Sequence, residues 1–284
     1  MTDLMKDLTD IEQAQLDKLN QAADDGAGVR LPFPALYIHV RNGDARMKDS
    51  TATVQYFGGF EGDADKMGEM MEAGDLQSFP QGWVSYSGVG RENNEYNAIG
   101  YRKITIAVIK GRASWLSKDG KSRAPAYSPV FSRRHLQYLA LMYQPDFVVP
   151  VVITAKGYQA QNMTEAIGKW ESAIKPFRKE LNAIGLPRSA FWITVGTDGT
   201  KPNYVKVGSD AQSTITPISA IIPEGLTAEA VAKRFVGKAN LMKCAELLAQ
   251  AEEWLGAWKQ AETAPDLVRE LVANADPITG EIAF

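Results

Sequence analysis

Nine cations fall between Tyr101 and Ala140: Arg102, Lys103, Lys110, Arg112, Lys118, Lys121, Arg123, Arg133 and Arg134, against the single carboxylate Asp119. Trp115, Tyr127, Phe131 and Tyr138 interleave with them. Cations at this density attract polyanions, and the phosphates of a nucleic acid are the commonest biological polyanion. The aromatics narrow the form. Single-stranded bases expose π-faces, each worth roughly 1–3 kcal/mol when stacked on an aromatic, whereas a duplex hides them. The pattern predicts binding to single-stranded DNA, with RNA as the alternative, at weak sequence preference and strong salt sensitivity. Trp115 and Tyr127 are the first candidates for stacking. Tyr37 and Tyr101 are the second, and Arg41 joins Tyr37 on the polar side of its segment. A solvated basic face, paired with acids elsewhere, is the competing reading.

The segregation of charge sharpens this. The whole chain carries 31 basic and 34 acidic residues, yet positions 246–284 hold eight acids against two bases. The near-neutral total conceals a dipolar chain.

A further clue is "SRRHLQYLALMY" (132–143), where Leu136, Leu139 and Tyr143 fit a helix capped by Ser132. Arg133, Arg134 and His135 then occupy its first turn, where the macrodipole disfavours cations unless an anion binds. A later helix start, or a facing carboxylate such as Glu92 or Glu95, would relieve the same conflict.

Enzyme chemistry finds little support. "VGTDGTKPN" lacks the Gly-Lys-Ser/Thr ending of a phosphate-binding loop, "GVGREN" lacks a third glycine, and no Gly-x-Ser-x-Gly occurs. "NGD" and "TDGT" fit hairpin turns. His39 and His135 have no sequence neighbour that identifies a nucleophile. Two histidines and one cysteine are too few for a structural zinc site. The acids Glu61, Asp63, Asp65, Glu69, Glu72 and Asp75 read as a loop entering a short helix that turns Met67, Met70 and Met71 inward. No catalytic residue, metal or cofactor is expected.

The positioning elements are mostly strands. "LYIHVR" (36–41) alternates Leu36, Ile38 and Val40 against Tyr37, His39 and Arg41. "YRKITIAVI" (101–109) puts Ile104, Ile106 and Val108 on one face. Segments 51–60, 83–89, 146–154, 189–195, 203–207 and 214–222 complete the β set, with Pro150 predicting an edge or a bulge. Helices are expected at Leu4–Ala23, at Met163–Ile184 with a kink at Pro176, and after Thr227 as an N-cap. In the last, Leu241, Cys244, Leu248, Ala251, Leu255 and Trp258 form the apolar stripe. Cys244 reads as buried filler.

The fold class predicted is α+β: an antiparallel, OB-like β-barrel core with an N-terminal helix and two long helices. Residues 1–30 form helix and linker, 31–225 the binding core with an inserted helix near 163–184, 226–263 a C-terminal helix, and 264–284 an acidic tail. No leader peptide and no membrane span is expected. The lone cysteine fits a reducing, cytoplasmic compartment, the host cytoplasm if the protein is viral.

The ending "ADPITGEIAF" combines Asp276, Glu281, Ile282 and a terminal Phe284. It resembles the acidic, apolar-closed tails of bacterial and phage single-stranded DNA-binding proteins. The loop "SWLSKDGKSRAP" is similar to a W-x-S-x-D-G-K loop of phage proteins assigned to single-stranded DNA handling. The resemblance implies that Ile282 and Phe284 recruit replication or recombination proteins, and that the tail competes with DNA. This tail departs from the pattern in its spaced acids and missing linker, and docking of Ile282 and Phe284 as a last strand is the alternative. A strand-annealing recombination protein, which would form homo-oligomers on DNA, and a protein-interaction module that binds no DNA remain open beside the main reading.

Overall fold

The computed structural model describes residues 29–42, 58–78, 80, 83–89, 95–118, 120, 122–197, 205–208 and 213–260. The expected N-terminal helix, the acidic tail with Ile282 and Phe284, Lys121, and positions 51–57 lie outside them. The fold is mixed α+β. The strands are β1 (Leu36–Asn42), β2 (Gly58–Asp63), β3 (Val84–Val89), β4 (Glu95–Tyr101), β5 (Lys103–Leu116), β6 (Arg123–Ala124), β7 (Arg133–Tyr143), β8 (Val148–Lys156), β9 (Ile193–Gly196), β10 (Val205–Val207), β11 (Ser213–Ile215) and β12 (Ser219–Ala220). The helices are α1 (Ala64–Glu72), α2 (Tyr158–Glu180), α3 (Ala228–Ala232), α4 (Lys238–Gln250) and α5 (Glu252–Gln260).

The chain divides into two compact units. A sheet unit takes residues 33–112 and 134–249. A hairpin unit takes 1–32, 113–133 and 250–284.

In the sheet unit the strands run in the order β12-β9-β5-β7-β8-β1-β2-β4-β3, a curled sheet whose ends do not pair. The expected antiparallel arrangement holds for β1–β2, β2–β4, β3–β4, β7–β8, β5–β9 and β9–β12. It fails at β1–β8, which is parallel. The curl has a covalent cause. β4 and β5 are separated in the path by β7, β8, β1 and β2, yet only Arg102 separates them in the chain. The sheet must bend round for one ribbon to serve both places. At this bend a Cβ on Gly59 would lie 2.4 Å from the Tyr101 carbonyl oxygen, and one on Gly196 2.4 Å from that of Arg102. Only glycine lets three backbones approach this closely. Thr197 N–H donates to the Arg102 carbonyl at 2.9 Å and locks the corner.

Alternation organises the core as expected in β1, where Leu36 and Ile38 are buried while Tyr37 and His39 are exposed. Ile104, Ile106, Val108 and Ile153 join them, and Ile167, Trp170 and Ile174 of α2 cover this face. On the opposite face Ala107, Leu141 and Trp192 pack with Cys244 and Leu247 of α4. The end of β1 is tied down by Asn42, whose Oδ1 accepts from Gln159 Nε2 at 2.7 Å and from Thr216 N–H at 3.0 Å. Asp63 caps α1 by accepting from the N–H groups of Asp65 and Lys66, and Met67 is buried beneath it. The inward methionine face is thus as predicted, although "FEGD" ends β2 and is not loop.

Four expectations are corrected. Residues 133–143 form strand β7 and not a helix. Every residue from His135 to Met142 is buried, and a strand covered on both faces reads as a continuous apolar run in which helical spacing can be found by accident. With no helix at Ser132, the reading of a phosphate at its start falls. Pro150 lies in an interior strand, but β1 begins pairing only at Val151, so the missing N–H of Pro150 costs no bond on that side. α2 starts five residues earlier than expected, after Gly157, and Ile184 is exposed. The single C-terminal helix is three: Thr227 caps α3 as expected, but Gly237 at φ 84° interrupts before α4. Within α4 the buried face runs through Cys244 and Leu247, and Leu248, expected on the stripe, is 39% exposed.

Candidate nucleic-acid interface

The basic segment expected as a loop is largely strand. β5 continues to Leu116 and turns back into β6, pairing Trp115 with Ala124 and Leu116 with Arg123. Serines close the turn: Ser117 N–H donates to the Ser122 carbonyl, and Ser122 N–H to Ser117 Oγ, both at 3.0 Å. Gly120, at φ 77°, supplies the left-handed residue the turn needs. Lys118 is exposed on it. Behind the turn Trp115, half-buried, meets Tyr127 edge-on, with centroids 5.2 Å apart and planes at 74°. Tyr127 is 62% exposed. Arg123 lies over the Trp258 ring at 4.2 Å, a cation–π contact inside the hairpin unit. Arg133 is exposed, whereas Phe131 is buried and is not an available platform.

The remaining candidates belong to the sheet unit. Arg112 is not a surface cation. It is 5% exposed and donates from Nε at 2.9 Å and Nη2 at 2.6 Å to Gln137 Oε1. Gln137 Nε2 passes the chain on to Thr154 Oγ1 at 3.1 Å. Tyr138 is likewise core, its hydroxyl 3.3 Å from Thr164 Oγ1. Tyr101 stacks on Trp83 at 5.4 Å and 16°, and burial pushes its phenol above the usual range. Arg102 occupies the β4–β5 bend. Lys103 and Lys110 are exposed on β5, and Arg134 is half-buried on β7.

The structure also assembles a face that sequence alone did not reveal. Residue pairs in register share a side of the sheet. His39 is opposite Thr154 in β8 and Glu61 in β2, Thr154 is opposite Gln137 in β7, and His135 is opposite Lys156. Both histidines of the chain therefore lie on one face, with Tyr37, Arg41, Glu61, Gln137, Thr154 and Lys156. Gln137, Thr154, Glu61 and His135 form a buried polar floor; Tyr37, His39, Arg41 and Lys156 are exposed above it. Arg41 Nε donates to the nearly buried Glu61 carboxylate at 2.8 Å. Loss of solvation, and then the charges of Arg41, Lys156 and Lys66, hold His39 down at about 4, with Glu61 opposing them. The imidazole is neutral at pH 7. Cys244 is buried, which pushes its thiol up to about 11, in keeping with filler.

No protein family, curated protein or solved structure matches this chain. Among the described residues no helix is long and apolar enough to cross a membrane, and no group of three or more His, Cys, Asp or Glu could hold a metal ion.

Proposed function

We propose that this protein binds single-stranded nucleic acid with little sequence preference, in DNA replication or recombination, and that its curled sheet works as an OB-like barrel. The observation that carries this reading is the Trp115–Tyr127 pair behind the Ser117–Ser122 turn. An exposed tyrosine, held edge-on by a second aromatic, is a ready stacking platform, and the turn of the same hairpin carries the exposed cation Lys118. Exposed Lys103, Lys110 and Arg133 would add phosphate contacts.

One observation favours a different class. Arg112 and Arg123, two of the nine cations, are engaged within the protein by Gln137 and Trp258. That is what a protein-interaction module with a structural basic segment would show. Fluorescence anisotropy of labelled oligo-dT at two salt concentrations, with duplex competitor, separates them. Tight, salt-sensitive binding that duplex competes poorly supports the nucleic-acid reading. No binding at low salt removes it in favour of a protein partner.

A further inference from the structure

Helix α4 carries apolar surface on two sides. Cys244 and Leu247 face inward, packed with Ala107, Leu141 and Trp192. On the other side Met242 is 55% exposed, and Ala239, Ala245 and Ala249 are exposed with it. Positions three, four and seven apart share one side of a helix, so these four form a single stripe. Phe235, 40% exposed, stands just before α4, and the exposed Leu248 flanks the stripe. A lone apolar side chain in water is ordinary. Three large ones around one short helix mark a surface that something covers.

The charges say what covers it. Lys238 and Glu246 lie four positions before and four after Met242, and both are exposed. Along the face the order is therefore Lys238, Ala239, Met242, Ala245, Glu246. Reversed about Met242, alanine falls on alanine and lysine on glutamate. Two copies of α4 packed antiparallel on a two-fold axis through Met242 make this reversal: Met242 meets Met242, Ala239 meets Ala245, and Lys238 meets Glu246 twice over. A parallel pair would set lysine on lysine and glutamate on glutamate. The alanines let the helices approach closely, and the flexible methionines fill the space at the axis. The same reversal brings Ala249 of one copy to the start of α4 in the other, where Phe235 is exposed. All of these residues belong to the sheet unit.

We propose that the outer face of α4 is a self-complementary dimer interface, covered by a second copy of this chain in antiparallel register about Met242. The apolar stripe supplies the attraction. The Lys238–Glu246 pairs fix the direction and the choice of partner more than the affinity, because ion pairs at an interface rim contribute little. This dimer is independent of the nucleic-acid reading and stands or falls without it.

Sedimentation velocity of the full chain across the micromolar range tests it, with circular dichroism confirming that each variant is folded. The wild-type mass should rise with concentration toward twice that of the chain, and Met242→Asp should stay monomeric. Lys238→Glu sets a carboxylate against Glu246 at both ends of the interface, and Glu246→Lys sets an ammonium against Lys238. Each should weaken association by roughly tenfold or more. An equimolar mixture of these two variants should dimerise again, because the new carboxylate of one then meets the new ammonium of the other and Glu246 meets Lys238. A wild-type chain that remains monomeric overturns the proposal, and another segment or protein then covers the face. A dimer that all three variants leave intact overturns it too, since the copies then meet elsewhere. Charge variants that weaken association but do not recover on mixing overturn the antiparallel register.

Discussion

Arg112 and Gln137 meet at one atom: Nε and Nη2 of the arginine both donate to Oε1 of the glutamine, at 2.9 and 2.6 Å. A guanidinium inside the sheet unit is satisfied by a neutral amide, which in turn donates to Thr154. Hydrogen bonds to a charged group are worth about 1.5–3 kcal/mol, and removing the acceptor leaves the charge short of a partner. Gln137→Leu, which keeps the volume, should cost stability of that order in urea denaturation. Its effect on oligo-dT affinity should be no larger than that of unfolding. An unchanged midpoint would mean that the Arg112–Gln137 bonds are dispensable.

Tyr127 offers the opposite behaviour. With most of its ring in water it contributes little burial, so Tyr127→Ala should leave the melting temperature nearly unchanged. If a base stacks there, affinity for oligo-dT falls by about 1–3 kcal/mol. A drop in melting temperature with intact binding would make the Trp115–Tyr127 contact a packing device only.

His39 should leave a signature in acid. The folded chain holds it at about 4, whereas an unperturbed histidine titrates near 6.5. Between those values the unfolded chain binds more protons, so stability falls as the pH drops through that window and is fully present above it. His39→Gln should therefore lose less stability than wild type between pH 7 and pH 5, compared by urea denaturation. Parallel curves would show that His39 titrates alike in both states.

Two glycine pairs should respond with opposite signs. Gly59→Ala and Gly196→Ala drive a methyl into backbone at 2.4 Å, and Gly59 also stands at φ 129°. Each should lose at least about 1–3 kcal/mol. Gly68 and Gly168 lie in helices with nothing within 4 Å of a Cβ, so alanine there should gain roughly 0.5–1 kcal/mol. Thermal melting of the four variants checks both signs at once.

What could be read in the sequence follows from burial on one face. β1 and the Ile104–Val108 part of β5 alternate because one side meets the core and the other does not. α1 and the Thr227 cap were legible from short-range chemistry. β7 was not, because its residues from His135 to Met142 are all buried and its Gln137 bonds to Arg112 and Thr154 within the sheet unit. Arg112 was missed for a different reason. Ile104, Ile106 and Val108 face one core, and a Cβ on Gly111 would meet Tyr138 of that same core, so Arg112 turns to the opposite face, toward Gln137. The pattern that reads as strand stops at Ile109, but β5 runs on to Leu116, so Arg112 stands in a strand and not in a loop. The face around His39 depends on strand order. Tyr37, His39 and Arg41 were visible as a triplet, but their neighbours Lys156 and Gln137 come from strands that no local pattern pairs with β1 or with each other.

Asn42 carries a consequence for how the chain reaches this state. Its two hydrogen-bond donors, Gln159 and Thr216, follow it by 117 and 174 positions. The entropy of closing such long loops is lost before those bonds can repay it, and topologies rich in distant pairings fold slowly. While the chain is being synthesised, β1 emerges long before either donor exists. Until then its exposed edge and the unfilled end at Asn42 are where the nascent chain is most open to pairing with a neighbour.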